Sequence, residues 1–126
     1  MTLIKSISGI RGTLGGPAGE NLTPIDIVQF AAAYATWLQR KKSTSGLKVV
    51  LGRDARPSGP TVAALVQHTL QASGIDVLDL GMATTPTVEL AVVREKAQGG
   101  LIITASHNPV EWNALKLLNH LGEFLS

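Results

Sequence analysis

Apolar and polar positions in this chain follow two periods, and the alternation between them lays out its elements. From Leu3 to Ile7 apolar and polar residues alternate, the two-residue period of a short strand. Lys48–Gly52, Ile75–Gly81 and the run beginning at Leu101 are short stretches of apolar and β-branched residues, which predict strands. The Leu101 run, entered through a Gly99-Gly100 break, carries the pattern of a strand buried on both faces. Between the strands the period lengthens. Ile27, Ala31, Tyr34, Ala35 and Leu38 recur at helical spacing, as do Val62, Leu65, Val66, Thr69, Leu70 and Ser73, and then Val88, Ala91 and Val92.

The helix ends are marked as well. Thr23 is placed to cap the first helix, with Pro24 at its first position and Asp26 completing a capping-box-like spacing. That helix should fade near Lys42, where Ser43-Thr44-Ser45-Gly46 reads as a polar loop. Gly74 stops the second helix, and Met82–Pro86 is a loop whose threonine caps and whose proline initiates the third. After Pro109, Ala114–Leu118 forms one more strand, with Leu115 and Leu117 on one face and Ala114, Lys116 and Leu118 on the other. Asn119–Gly122 is then a hairpin-like turn.

Three successive strand, helix, strand units joined by short links imply right-handed crossovers and a largely parallel sheet covered on both faces. The expected fold is therefore a three-layer α/β/α sandwich with a mixed, mainly parallel sheet of about four strands. At 126 residues, one domain spanning 1–126 is expected.

Composition narrows the function classes. There are no cysteines, which excludes disulfide scaffolds, thiolate metal sites and cysteine nucleophiles. The formal charge is +2 and the cations are dispersed except at Arg40-Lys41-Lys42, a trio better suited to completing a helix C-terminus than to binding nucleic acid. No signal-peptide core and no bilayer-length apolar segment is present, so neither nucleic acid nor membrane is an expected partner and a cytoplasmic location is expected. Asp76 and Asp79 lie three apart on a strand and point to opposite faces, so they are not a metal pair. His68 falls one position off the helical stripe and belongs at the surface.

Chemistry concentrates after the Leu101 strand. Thr104-Ala105-Ser106-His107-Asn108-Pro109 places a hydroxyl, an imidazole, an amide and a proline in four consecutive residues, at the carboxyl end of a strand where open α/β sheets bind ligands. Pro109 fixes its own φ and pushes Asn108 toward extended backbone, which restricts the loop. Two further loops hold arginines: Ser8-Gly9-Ile10-Arg11-Gly12, which should turn the first strand back, and Gly52-Arg53-Asp54-Ala55-Arg56. In the second, Arg53 and Asp54 can pair to brace neighbouring loops while Arg56 can face a phosphate; the ion pair is the favoured reading.

These three segments, with Asn113, Lys116 and Gly122-Glu123-Phe124, follow in the order found in the α-D-phosphohexomutases, and the chain resembles the first of that family's four domains. Ala114 stands where the family often has glycine, which leaves the serine-to-lysine spacing intact. The resemblance implies that Ser106 carries a phosphate, passes it to a phosphosugar and recovers one from the bisphosphorylated intermediate, so that hexose 1-phosphate and 6-phosphate interconvert. It places Arg11 at the active-site phosphate. His107 and Asn108 can then donate to phosphoryl oxygens, and Lys116 suits general acid/base work. It also implies Mg²⁺ bound through the phosphate on Ser106, with its other ligands in an Asp-x-Asp-Gly-Asp motif of the second domain. That motif is absent from this sequence, as are the family's third and fourth domains, so these domains are expected partners and the isolated chain is expected to be inactive.

Two other readings stay open. A serine hydrolase using Ser106 and His107 is disfavoured by the lack of a G-x-S-x-G elbow and of an acid to orient the imidazole. A non-catalytic phosphate- or sugar-phosphate-binding module would use the same anion-holding groups without turnover.

Overall fold

Among residues 1–41, 46–105 and 108–126, those described in a computed structural model, the elements run β1 (Ile4–Ser6), β2 (Gly9–Thr13), α1 (Pro24–Lys41), β3 (Lys48–Arg53), α2 (Gly59–Ala72), β4 (Asp76–Met82), α3 (Thr85–Arg94), β5 (Gly99–Ile103) and β6 (Trp112–Leu118). The helices begin and end for the reasons their sequences carry. Thr23 and Asp26 close a capping box: the Thr23 hydroxyl donates to Asp26 Oδ2, and the Asp26 amide donates to Thr23 Oγ1 at 3.4 Å. At α3 the Thr87 amide donates to Thr84 Oγ1 at 3.3 Å, and Pro86 sits in the first turn. Gly74 ends α2 with φ of 86°, a left-handed conformation that glycine adopts at little cost.

The sheet has six strands in the order β1-β2-β6-β5-β3-β4, two more than the pattern predicted. β3 pairs in parallel with β4 and β5, while β6 is antiparallel to both β5 and β2. Four strands, β2, β5, β3 and β4, therefore run the same way, and β6 and β1 run against them. One of the extra strands, β2, comes from the Ser8–Gly12 segment. It was expected to be a turn, but only Ile7 and Ser8 turn; Gly9–Thr13 is a strand between β1 and β6. Its first glycine permits that position, because a Cβ on Gly9 would overlap the Leu115 carbonyl oxygen on β6.

Helices cover both faces. Val49, Leu51, Leu101, Ile103, Leu115 and Leu117 pack under α1 and α2, whose buried stripe includes Ile27, Ala31, Tyr34, Val62, Val66 and Leu70. Val50, Ile102 and Leu118 pack on the opposite face under Val88, Ala91 and Val92 of α3. The alternation read along Ala114–Leu118 holds. Gly99 and Gly100 are not a break before the central strand but its first two residues, both buried. Among the described residues no helix is long and apolar enough to cross a membrane.

One helix cannot cover six strands. α3 shields β3, β5 and the Leu118 end of β6, and the same face of β2 and of β6 around Lys116 is left as an open groove.

Candidate active site

The carboxyl ends of β2, β3, β4 and β5 and the amino end of β6 share one edge of the sheet, and the β5–β6 connection crosses that edge. Ser106 and His107 belong to this connection and lie outside the described residues. Ala105 is buried, and its carbonyl accepts the Asn108 amide at 3.0 Å and the Asn108 Nδ2 at 2.9 Å. At least one side-chain donor of Asn108 is thus spent on the loop itself. Thr104 N donates to Ala114 O at 3.1 Å, which extends the β5–β6 pairing to the start of the loop.

Arg11 and Lys116 meet in one groove. Arg11 is opposite Ala114 and Lys116 is opposite Gly9 across the β2–β6 pair, so both point to the face that α3 leaves open. On its other side Lys116 is opposite Ile102, one residue before the end of β5. The groove, of about 450 Å³, is lined by Ser6, Ser8, Gly9, Arg11, Ala114 and Lys116 among others. Arg11 is exposed and Lys116 half-buried. Two cations on adjacent strands, beside the strand that leads to Ser106, suit an anionic ligand such as a phosphate ester.

The Gly52–Arg56 loop is braced differently from expectation. Arg53 and Asp54 do not make the anticipated side-chain pair; Arg53 Nη1 reaches only the Asp54 backbone carbonyl, at 3.4 Å. Arg56 is the partner of Asp54, its Nε donating to Oδ2 at 3.2 Å while its amide donates to Oδ1 at 3.1 Å. Adjacent residues in extended backbone diverge, whereas an aspartate readily bonds the backbone two residues on, so Asp-x-Arg was the signal to read. Arg56 turns inward to the serine loop, donating to the carbonyls of Asn108, Pro109 and Trp112 at 2.8, 2.7 and 3.2 Å.

Sequence reasoning assigned no role to Asn113 or Ser58, yet they tie the loops together. Asn113 is fully buried; its Nδ2 donates to Ser58 Oγ at 2.8 Å and its Oδ1 accepts the Ala114 amide at 2.9 Å. Ser58, at the N-cap position of α2, makes no side-chain cap, so its oxygen is available to Asn113.

With this geometry in view, the comparisons with known proteins are decisive. The family model described as phosphoglucomutase/phosphomannomutase, alpha/beta/alpha domain I, matches residues 3–126. The chain belongs to this family, as its domain I. A probable phosphoglucosamine mutase of Methanosphaera stadtmanae is 41% identical over 121 residues, 94% of this chain and 26% of that protein. A phosphoglucomutase/phosphomannomutase of Thermococcus kodakarensis is 42% identical over 113 residues, covering 88% of this chain and 25% of its own length. The crystal structure of a putative phosphomannomutase from Thermus thermophilus superposes with a TM-score of 0.85 at 28% identity, covering all of this chain and 28% of the other. The chain therefore spans about a quarter of the length of the relatives it matches.

Among the described residues no group of three or more His, Asp or Glu side chains is placed to hold a metal ion.

Proposed function

We propose that this domain supplies the phosphoryl carrier and part of the phosphate-binding surface of a mutase that interconverts hexose 1-phosphate and hexose 6-phosphate. The observation that carries the reading is the shared groove of Arg11 and Lys116 on the open sheet face, beside the strand that leads to Ser106. The names of the relatives support glucose, mannose or glucosamine as the sugar.

In this scheme Ser106 begins as a phosphoserine. A sugar hydroxyl attacks its phosphorus, the P–Oγ bond breaks as the new P–O bond forms, and the hydroxyl proton leaves through Lys116 acting as base or relay. The bisphosphorylated sugar turns over in the groove. Ser106 Oγ then attacks the other phosphate, whose P–O bond to the sugar breaks as the P–Oγ bond forms, and the sugar oxygen takes back a proton through Lys116, which restores the phosphoserine and releases the isomeric monophosphate. Arg11 forks onto a phosphate, and His107 and Asn108 donate to phosphoryl oxygens. A Mg²⁺ ion held by the phosphoserine would neutralise charge, drawing its remaining ligands from outside this chain. The 126 residues alone bind phosphosugar and do not turn it over.

The test is intact-mass measurement with phosphosite mapping on the protein purified from its own cells, paired with mutase assays on glucose, mannose and glucosamine phosphates. One phosphate on Ser106 and an inactive, unphosphorylated Ser106→Ala variant are expected. An unphosphorylated Ser106 together with a fully active Ser106→Ala protein would remove the mechanism.

A further inference from the structure

We infer that Arg56 is a positioning residue: with Asp54 it holds the backbone that flanks Ser106 and His107 on both sides, and it does not bind the substrate's phosphate. The inference rests on the reading of Ser106 as phosphoryl carrier.

Three observations carry it. The first is how the guanidinium is used. Of its five N–H donors, Nε goes to Asp54 Oδ2, Nη1 to the Pro109 and Trp112 carbonyls, and Nη2 to the Asn108 carbonyl. Four of the five donors are committed by these bonds, and the side chain is only 11% exposed, so an incoming sugar phosphate would find the fork already occupied by backbone oxygens.

The second is what those oxygens belong to. Asn108 and Pro109 follow Ser106 in the connection, and Trp112 is the first residue of the strand it leads into, β6. On the preceding side, the Asp54 amide donates to Ile103 O at 3.0 Å, at the last residue of β5. The β3–α2 loop thus grips the chain both before and after residues 106 and 107. The bonds from Asn108 to the Ala105 carbonyl bring those two grips together.

The third is chemical. A planar fork can satisfy three carbonyls and one carboxylate in fixed directions, and a lysine ammonium cannot reproduce that geometry although it keeps the charge. Misplacing a reacting group by about 1 Å can cost on the order of 10²-fold in rate. Loss of Arg56 should therefore slow phosphoryl transfer while leaving Arg11 and Lys116 to bind the sugar phosphate.

The experiment compares Arg56→Lys, Arg56→Met and Asp54→Asn with the wild type, each as the whole protein from its own cells. Ser106 phosphate stoichiometry, kcat and KM for a hexose 1-phosphate, and the urea unfolding midpoint are measured for each. Both Arg56 variants should lose at least about 30-fold in kcat, with KM held within about twofold. Arg56→Lys should give no rescue. Asp54→Asn, whose amide oxygen still accepts the Arg56 amide, should fall between them and the wild type, and it serves as the readout should the Arg56 variants unfold. A raised KM at unchanged kcat would make Arg56 a substrate ligand and overturn the inference. So would wild-type kcat in Arg56→Lys. Either result obtained on protein phosphorylated at Ser106 leaves the carrier reading standing, whereas an active Ser106→Ala variant removes the carrier itself.

Discussion

The Tyr34 hydroxyl of α1 occupies the space that a side chain on Gly99 of β5 would fill. From there it donates to the Leu118 carbonyl at 2.7 Å and lies 3.1 Å from that of Gly100. A helix thereby docks onto the first residues of the central strand, the strand that leads to the serine loop. Gly100 does the same on the other face, where a Cβ would lie 2.6 Å from Val92 Cγ2 of α3. Burial raises the Tyr34 pKa, so the hydroxyl stays a donor throughout the working pH range.

Gly99→Ala should accordingly destabilise the domain by about 2–3 kcal/mol, since the added methyl displaces the hydroxyl from both carbonyls. Tyr34→Phe should cost about 1 kcal/mol alone. The double variant should be less destabilised than the sum, because removing the hydroxyl makes room for the methyl. Urea unfolding of the four proteins measures the coupling, and simple additivity would show that the two residues do not compete for that space.

Asp26 should give the domain an acid-sensitive contribution. Its carboxyl is held below the ordinary carboxylate range chiefly by the Thr23 hydroxyl, then by the Gly19 and Thr23 amides, against an opposing effect of burial. A pKa lower in the folded than in the unfolded chain means stability that is complete above the unfolded value, 3.8, and lost as pH falls through the folded one. Urea midpoints followed from neutral to acid pH should decline in that window, and Asp26→Asn should flatten the decline. An unchanged slope in the variant would assign the acid sensitivity elsewhere.

Asn113→Ala should cost about 2–3 kcal/mol, because it strands the buried Ala114 amide and takes the donor from the half-buried Ser58 hydroxyl. Ser58→Ala should be milder, and in combination with Asn113→Ala it should add less than its own cost. A double-mutant cycle by thermal unfolding checks both the size and the sign.

Lys116→Met should lower mutase kcat by about 10²-fold or more if the lysine moves the proton, whereas Arg11→Met should raise KM for the phosphosugar. Steady-state kinetics on the whole protein separate the two roles. Equal effects on kcat and KM in both variants would show that the pair acts only as one phosphate clamp.

Much of the fold was legible because the controlling signals are local. The capping box at Thr23 and Asp26, the proline in the first turn of α3 and the facing pattern of Ala114–Leu118 depend on a few neighbouring residues, and the structure has them as the pattern indicates. The Ser8–Gly12 segment was misread as a turn because its glycines suggest flexibility. The first of them, Gly9, in fact admits the β6 backbone at Leu115, more than a hundred residues away in sequence.

The same division runs through the site. Sequence alone determined the helices, every strand but β2, their buried faces and the run of motifs that places the chain among the phosphohexomutases, since periodicity and residue order are properties of the chain itself. Only the tertiary structure decided that β6 inserts between β2 and β5, that Arg11 and Lys116 share one groove, and that Arg56 rather than Arg53 takes the Asp54 carboxylate. Those outcomes depend on which strand edges pair and where one helix stops covering the sheet, and such long-range choices are set by the packing of the whole domain.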